Sequence, residues 1–286
     1  MVISVSRRCD IPRFRFDWFM EKLNTGFVDV ANPFNAAQIR RVSLRPSPEG
    51  GGAAAFVFWT RDPRAILANA EMLEKLRLPF YVMVTVTGYP AALEPNAPPA
   101  EIICAAIGEL ARKIGPRRVI WRYDPVFLSS ITDEDFHRRN FGALAGNLAG
   151  AVRRVIVSLY DEYGGAKRRI AALEKAGGLQ MRTPALSGEG LPFSADNGAY
   201  RLLAGLAQTA KDADMEIQSC AGAENFQTAG IKAGACVDGE LLRELWGIES
   251  GGRDKNQRPR CLCAQSVDIG RYGDCPAGCV YCYAHR

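Results

Sequence analysis

Three cysteines near the end of the sequence have a spacing that suits iron–sulfur chemistry. Cys275, Cys279 and Cys282 form the pattern CxxxCxxC, and the aromatic residue Tyr281 stands directly before the third cysteine. Three thiolates in one short loop can bind three irons of a 4Fe-4S cluster and leave the fourth iron without a protein ligand. Four-cysteine ferredoxin motifs close that position, and zinc sites use paired CxxC or Cys/His spacings with four ligands. The triad therefore predicts a cluster whose open iron can bind and activate a small molecule.

A second group of cysteines precedes the triad: Cys220, Cys236, Cys261 and Cys263. Together the two groups place seven of the nine cysteines after residue 219, a concentration that favours a shared role. Four thiolates can fully ligate a second 4Fe-4S cluster, which would relay electrons or shape the site. A structural zinc ion and buried free thiols are the alternatives. We favour the auxiliary cluster.

The two remaining cysteines have different surroundings. Cys104 lies in an apolar helical pattern and is predicted to pack in the core. Cys9 follows Arg7 and Arg8 near the end of the first predicted strand. It is a candidate catalytic thiol if the arginines lower its pKa, and a structural residue otherwise.

The triad resembles the cluster-binding signature of the radical S-adenosylmethionine superfamily, CxxxCxΦC, in which Φ is usually aromatic. This resemblance implies that Cys275, Cys279 and Cys282 ligate a 4Fe-4S cluster, that S-adenosylmethionine binds its open iron, and that Tyr281 packs near the adenine. It further implies a 5′-deoxyadenosyl radical that abstracts hydrogen from a substrate, and an electron donor such as a reductase, a flavodoxin or a ferredoxin. The whole chain also resembles a bacterial family of unknown function through the segments SRRxDIP, WTRDP, RYDPV and CxxGCxYCYA.

Apolar β-type runs alternate with helical patterns along the chain. The predicted strands are Val2–Ser6, Phe27–Ala31, Ala55–Trp59, Tyr81–Thr87, Val119–Tyr123, Val155–Leu159, Met215–Ser219 and, less regular, Ser266–Gly270. The predicted helices are Trp18–Thr25, Pro63–Leu76, Pro99–Ile114, Asp133–Ala149, Ala166–Ala176 and Asn197–Asp212. Strands that are apolar on both faces and alternate with helices indicate an α/β fold with a parallel sheet. We expect a (β/α) barrel or partial barrel of about six to eight strands, rather than a doubly wound sheet, because polar residues gather where barrel active sites lie.

The position of the triad predicts a rearranged barrel. In the radical S-adenosylmethionine superfamily the motif normally follows the first barrel strand, whereas here it lies at the end of the sequence. The first and last strands of a barrel are neighbours, so a strand over Ser266–Gly270 would bring the cysteine loop to the same rim. We therefore predict a circular permutant cut after the cluster loop. Residues 1–219 would form the barrel body, and the cysteine-rich segment 220–286 would complete it as one globular unit.

Polar residues at the carboxyl ends of the predicted strands are candidates for binding the cofactor. They are Asn32, Thr60, Thr85, Arg122, Asp124 and Ser158. An arginine flanked by aromatic residues, as in VIWRYDPVF, can hold a carboxylate through a bidentate pair, and Asp124 can accept a hydrogen bond from a ribose hydroxyl. The alternative is an internal ion pair between Arg122 and Asp124 that braces the barrel.

Composition restricts the function classes. The chain has 286 residues, 48% of them hydrophobic and 23% charged, with a net charge of +5, as in an ordinary soluble protein. We find neither an apolar run long enough for a bilayer nor a signal peptide, so we expect a cytoplasmic protein without membrane contact. The basic residues form only short clusters. Two histidines, His137 in a polar helix that we expect to be exposed and His285, give little support to hydrolytic chemistry.

Two functions from different classes remain open. The first is a radical S-adenosylmethionine enzyme that acts on an unidentified small-molecule, nucleic-acid or peptide substrate. The second is a non-catalytic iron–sulfur protein that transfers electrons or senses redox state, with or without nucleic acid. Reductive cleavage of S-adenosylmethionine separates the two functions.

Overall fold

A parallel sheet forms the centre of the protein. The structure is a computed structural model that describes residues 1–46, 51–182, 198–221 and 224–285. Its strands are β1 (Val2–Val5), β2 (Phe27–Asn32), β3 (Asn35–Ser43), β4 (Ala55–Thr60), β5 (Phe80–Thr85), β6 (Val119–Val126), β7 (Arg154–Leu159), β8 (Glu216–Cys220), β9 (Lys232–Gly234) and β10 (Ser266–Asp268). Eight of them pair in the order β10-β1-β4-β5-β6-β7-β8-β9, and every pair is parallel.

Helices connect most of these strands. They are α1 (Ile11–Phe14), α2 (Phe16–Thr25), α3 (Arg64–Ala68), α4 (Ala70–Lys75), α5 (Ala100–Ile114), α6 (Glu134–Leu148), α7 (Gly164–Lys175), α8 (Gly198–Asp212) and α9 (Gly239–Trp246), with 3-10 turns at Pro116–Arg118 and Glu224–Ala229. Within the described ranges, no helix has both the length and the apolar character needed to cross a bilayer. The predicted α/β fold with a mainly parallel sheet is confirmed. Among the described residues, no ladder of hydrogen bonds joins β9 to β10.

Side chains that alternate along the strands divide the core into two layers. In β4, Phe56 and Phe58 pack in the larger layer together with residues of α2, α5, α6 and α8. Val57 and Trp59 point to the opposite face, which we call the inner face, and pack there against Leu241 and other residues of α9. Period-two alternation thus sends odd and even positions of a strand to different layers. Apolar side chains cover the inner face along the first residues of the strands. Polar residues on this face are therefore found at the carboxyl ends of the strands.

The predicted strand Phe27–Ala31 does form, but not in the parallel sheet. It is part of β2, which pairs antiparallel with β3 in a separate two-stranded sheet. Most of β3 is exposed, and Arg41 of β3 pairs with Asp29 of β2 on the surface. A strand that carries these charges cannot be buried on both faces, whereas an antiparallel hairpin can face water. The eighth strand of the parallel sheet is β9, which was not predicted from the sequence. It has only three residues and no apolar run that would indicate a strand.

Two of the helical predictions need correction. The segment predicted as one helix over Pro63–Leu76 contains two, α3 and α4, which meet at Asn69. His137, expected on the surface, is fully buried. Its side chain shares one face of α6 with Phe141, Leu144 and Leu148, and this helical spacing in the sequence was the signal for burial.

The buried imidazole of His137 is held by two hydrogen-bond partners. Its Nδ1 lies 2.8 Å from the hydroxyl oxygen of Tyr123, and its Nε2 lies 3.1 Å from the carbonyl oxygen of Phe127. Burial lowers the pKa of His137 to about 4. The neutral imidazole is therefore the form that fits the folded protein.

We predict that His137 makes the fold sensitive to mild acid. The unfolded chain takes up a proton near pH 6.5, whereas the folded protein resists protonation until about pH 4, so stability should fall as the pH drops. Between pH 7 and pH 5 this histidine should lower the free energy of unfolding by about 2 kcal/mol. His137→Gln keeps a donor but cannot titrate. Urea unfolding at both pH values should show a smaller acid-induced loss in the variant, and equal losses would contradict the assignment.

Candidate functional site

A cavity of about 450 Å³ lies at the carboxyl ends of the parallel strands. Its lining includes most of the predicted site residues, drawn from both predicted segments of the chain: Cys9, Thr60, Thr85, Arg122, Asp124, Ser158, Cys220, Cys236, Cys261, Cys263, Cys275, Cys279, Tyr281 and Cys282. Thr85, Arg122 and Ser158 continue the inner-face positions of their strands, beyond Met83, Ile120 and Ile156. The strand alternation therefore aims these polar side chains into the cavity.

One predicted site residue lies elsewhere. Asn32 ends β2 in the antiparallel hairpin, where its amide donates to the side chain of Gln38 at 2.8 Å. Both groups are exposed. The prediction that Asn32 lies on the rim of the sheet was wrong because β2 does not belong to that sheet.

Tyr281 attaches the loop of the cysteine triad to the body of the protein. Its buried hydroxyl accepts a hydrogen bond of 2.6 Å from Arg61 Nη2 and donates to Glu94. Arg61 Nη1 lies 2.9 Å from Glu94 Oε2, and the carboxylate also accepts from Thr87 at 2.5 Å. The Tyr281 ring stacks on Phe127 with 5.9 Å between ring centres. The loop is therefore fixed by a buried ion pair and by aromatic packing.

Backbone atoms of the same loop are held by residues from distant elements. Arg169 of α7 donates to the carbonyl oxygens of Val280, at 3.0 Å, and Cys282. The amide of Asn96 donates to the carbonyl oxygen of Pro276 at 3.0 Å. Because these carbonyls accept hydrogen bonds from the protein, the loop needs no helix or sheet to satisfy its backbone. Cys279 is buried, and Cys275 and Cys282 are half-buried. Burial raises the pKa of Cys279 to about 11.

The buried carboxylate of Asp268 connects β10 to the end of β1. It accepts hydrogen bonds from Ser4 Oγ at 2.7 Å, from Ser6 Oγ at 2.5 Å and from the backbone N–H of Arg7 at 2.7 Å. The backbone N–H of Gly270 adds a fourth bond of 3.0 Å. A Cβ at Gly270 would come within 2.1 Å of Ser6 Oγ, so only glycine permits this approach. Asp268 thus sets where the cysteine loop begins.

Arg122 lies on the inner face among polar partners. It pairs with Asp124, and its Nη1 donates to Thr85 Oγ1 at 3.2 Å. Asp124 also accepts from Ser158. Although burial opposes the charge, the carboxylate of Asp124 raises the pKa of Arg122. The ion pair that we considered from the sequence therefore exists.

Among the buried donors of the cavity lining that have no hydrogen-bond partner in the described structure are Nε of Arg122 and Nε1 of Trp59. Arg122 lies over the Trp59 ring, with Cζ 5.1 Å from the ring centre. A buried polar group without a partner costs free energy that a bound ligand can recover. These two donors mark a place where a ligand would stabilise the protein.

The second group of cysteines forms a chain of thiol contacts. Cys236 Sγ donates to Cys220 Sγ at 3.2 Å, and Cys263 lies beside the thiols of both Cys236 and Cys261. These neighbouring thiols lower the pKa of Cys263, which also accepts from the backbone N–H of Val237 at 3.3 Å. Within the described ranges, no three His, Cys, Asp or Glu side chains are arranged to hold a single metal ion. The four thiols are neighbours, and all of them line the same cavity.

Cys9 does not have the properties predicted for a reactive thiol. It is buried, and burial raises its pKa to about 11. Arg7 and Arg8 contact Asp268 instead, at 3.8 and 3.9 Å. The lowered pKa that a catalytic Cys9 would need is therefore not found, because Arg7 and Arg8 pair with Asp268 and burial disfavours the thiolate.

The fold and the cavity define a class of protein: a parallel α/β protein whose cysteine-rich segment lies over the carboxyl ends of its strands. The family model described as "Domain of unknown function (DUF1848)" matches residues 2–284, and the chain belongs to this family. The resemblance to a family of unknown function is therefore confirmed. A search of curated proteins found no match.

We predict that Asp268→Asn destabilises the protein. The amide loses the charge that attracts Arg7 and Arg8, and its NH2 group must face a former donor. Losing buried, charge-assisted bonds should lower the free energy of unfolding by about 2–4 kcal/mol. Urea unfolding of metal-free protein under reducing conditions measures this loss.

Asp29→Asn is the matched control, because Asp29 also pairs with an arginine but lies on the exposed hairpin. Solvent screens such a pair, so its loss should have little effect on stability. Similar effects of the two substitutions would show that Asp268 does not anchor the strands.

Proposed function

We propose that this protein is a radical S-adenosylmethionine enzyme. The observation that supports the proposal best is that the anchored CxxxCxxC loop lines one cavity together with Arg122, Asp124 and the unpartnered donor of Trp59. A protein that only transfers electrons needs buried ligands but no polar cavity of ligand size next to them. Ligand sites in proteins commonly have volumes of about 300–1,000 Å³, and this cavity falls within that range.

The three thiols of the triad and the unpartnered donors beside them support a site for both cofactors. Cys275, Cys279 and Cys282 would hold the 4Fe-4S cluster, and the cavity beside them would receive S-adenosylmethionine. When bound, a reduced cluster would supply one electron for the cleavage of S-adenosylmethionine into methionine and a 5′-deoxyadenosyl radical, which would take hydrogen from a substrate. The side chains of the protein would bind, orient and shield the reactants.

Arg122 is the best residue to bind the carboxylate of S-adenosylmethionine. It keeps its charge, its Nε has no partner, and Thr85 and Asp124 fix the orientation of its guanidinium. A second carboxylate can therefore approach from the open side of the guanidinium. Asp124, already held by Ser158, would accept a hydrogen bond from a hydroxyl of the ribose.

Tyr281 would have a different role from the one that the superfamily signature implies. Its hydroxyl is engaged by Arg61 and Glu94, and its ring is stacked on Phe127. We therefore propose that Tyr281 positions the cysteine loop and offers the adenine no more than the remaining edge of its ring.

We also propose that the sheet is a circularly permuted form of the superfamily's barrel. The parallel pairing of β10 with β1 supports this, because the cysteine loop follows β10 as the usual motif follows the first strand. The helices α2, α5, α6 and α8 on one face of the sheet correspond to the outer ring of such a barrel, whereas α9 covers the inner face, where a closed barrel packs side chains.

The thiols of Cys220, Cys236, Cys261 and Cys263 would hold an auxiliary 4Fe-4S cluster. All four line the same cavity as the triad, and each thiol already contacts at least one other thiol of the group. Zinc and free thiols are the competing states, and metal analysis distinguishes them. Electrons would come from a reductase, a flavodoxin or a ferredoxin.

We predict that anaerobically reconstituted protein binds about seven to eight irons per chain and cleaves S-adenosylmethionine slowly without substrate. Cys279→Ala should abolish the release of 5′-deoxyadenosine, because the open cluster loses a ligand. Cys261→Ala should remove the signal of the second cluster by electron paramagnetic resonance and leave part of the cleavage.

Cys104→Ala is the control, since Cys104 is buried in α5 and absent from the cavity lining. This variant should keep both the iron content and the cleavage. Stoichiometric zinc without iron in anaerobically isolated protein would refute the cluster assignment. Two clusters without any cleavage would favour the electron-transfer or redox-sensing alternative.

We predict that Arg122→Ala weakens binding of S-adenosylmethionine by about tenfold or more, the value expected for a lost bond between charged groups. Arg118→Ala is a matched control at the opposite end of β6, where Arg118 donates to the carbonyl oxygen of Phe80 at 3.0 Å and covers its ring. The control should lower the melting temperature without changing the affinity. Calorimetric titration of both variants with S-adenosylmethionine checks this. Equal affinities of the Arg122 and Arg118 variants for S-adenosylmethionine would contradict the role of Arg122.

A further inference from the structure

A row of three tyrosines flanked by two arginines lies where the cavity meets solvent. In order, the row contains Arg8, Tyr272, Tyr283, Tyr163 and Arg258, and all five residues line the cavity. The ring centres of Tyr272 and Tyr283 are 6.5 Å apart, and those of Tyr283 and Tyr163 are 5.4 Å apart. Arg8 Cζ lies 5.1 Å from the centre of the Tyr272 ring. Arg258 lies near enough to Tyr163 for their charges to interact, so a cation stands at each end of the row.

Core packing does not account for this row. Tyr283 is 45% exposed although it lies among the cavity residues. Its hydroxyl donates to the carbonyl oxygen of Arg7 at 2.9 Å, which fixes the ring in an exposed position. A large aromatic ring that is held rigidly in contact with water can stack on a planar ligand with little loss of conformational freedom.

The two arginines can bind an anion beside such a ligand. The side chain of Arg8 is 20% exposed, and that of Arg258 is 40% exposed. Each lies near one carboxylate, Asp268 and Asp161 respectively, and a guanidinium has five donors. Donors therefore remain for phosphate oxygens, which arginine binds in a forked geometry.

We propose that this tyrosine–arginine row binds a nucleotide, with its base stacked on Tyr283 and its phosphate bound by Arg258, the more exposed of the two arginines. The proposal rests on the proposed function, since it names the substrate class of that cavity. Aromatic rings interleaved with cations are the arrangement by which proteins hold unpaired bases. The chain has no long basic tract, so the row fits one nucleotide or a short single strand rather than a duplex.

Two probes distinguish a free nucleotide from a nucleotide within a strand. Anaerobically isolated full-length protein is titrated with thymidine 5′-monophosphate by calorimetry and with a fluorescein-labelled ten-residue oligothymidylate by anisotropy. Pyrimidine probes avoid competition with the adenine of S-adenosylmethionine. Binding of either probe supports the proposal, and tighter binding of the oligonucleotide assigns the strand as the source.

Three variants test the row. Tyr283→Ala should weaken binding about tenfold, because stacking of one base contributes about 1–3 kcal/mol. Tyr283→Phe retains the ring and should bind nearly as well as the natural protein. Arg258→Ala should weaken binding and make it less dependent on salt.

Phe34→Ala is the control, because Phe34 is 95% exposed on the distant hairpin and lies outside the cavity. The proposal would be overturned if neither probe bound, or if Phe34→Ala weakened binding as much as Tyr283→Ala did. It would also be overturned if a tryptophan-containing peptide bound to the row and neither nucleotide probe displaced it. These outcomes are independent of S-adenosylmethionine cleavage without substrate. Cleavage without nucleotide binding would refute the substrate class and leave the proposed function standing.

Discussion

The buried carboxylate of Asp268 is the interaction on which the rest of the site depends. Four hydrogen bonds join this one side chain to the end of β1, to the residues that follow it and to Gly270. These bonds hold β10 beside β1 even though β10 has only three residues. Without them, the start of the segment that carries the cysteine triad would lose the side-chain bonds that attach it to β1. Asp268 also engages Arg7 and Arg8, so its charge influences the nearby thiols and the mouth of the cavity.

A second constraint fixes the far side of the triad. Arg61 and Glu94 form a buried ion pair, and the hydroxyl of Tyr281 makes a hydrogen bond to each of them. Without Tyr281, both charged groups would lack one buried hydrogen-bond partner. Burying such a pair is costly unless every polar atom is satisfied. The loop of the triad and the body of the sheet therefore stabilise each other. The cysteines are ordered by contacts that do not depend on a bound metal.

The sequence was sufficient to predict those parts of the structure that arise from local patterns. Apolar runs such as that of β5 and polar residues such as Arg122 and Ser158 at strand ends led directly to the parallel sheet and to most of the cavity. Asn32 was misplaced because the strand pattern of residues 27–31 does not reveal which sheet the strand will join. Glu94 and Arg169 were missed for another reason. Their contacts with the cysteine loop span 187 and 111 residues, and no local pattern encodes such a distance.

The two-layered core has a consequence for the movement of molecules through the protein. Val57, Met83 and Ile120, covered by α9, seal the inner face below the polar ring, while the tyrosine row borders its outer end. The cavity thus has an apolar floor. Two molecules that enter past the tyrosine row must bind in sequence, and the deeper one leaves after the shallower one. The architecture itself would impose an order of binding and release, whatever the reaction inside.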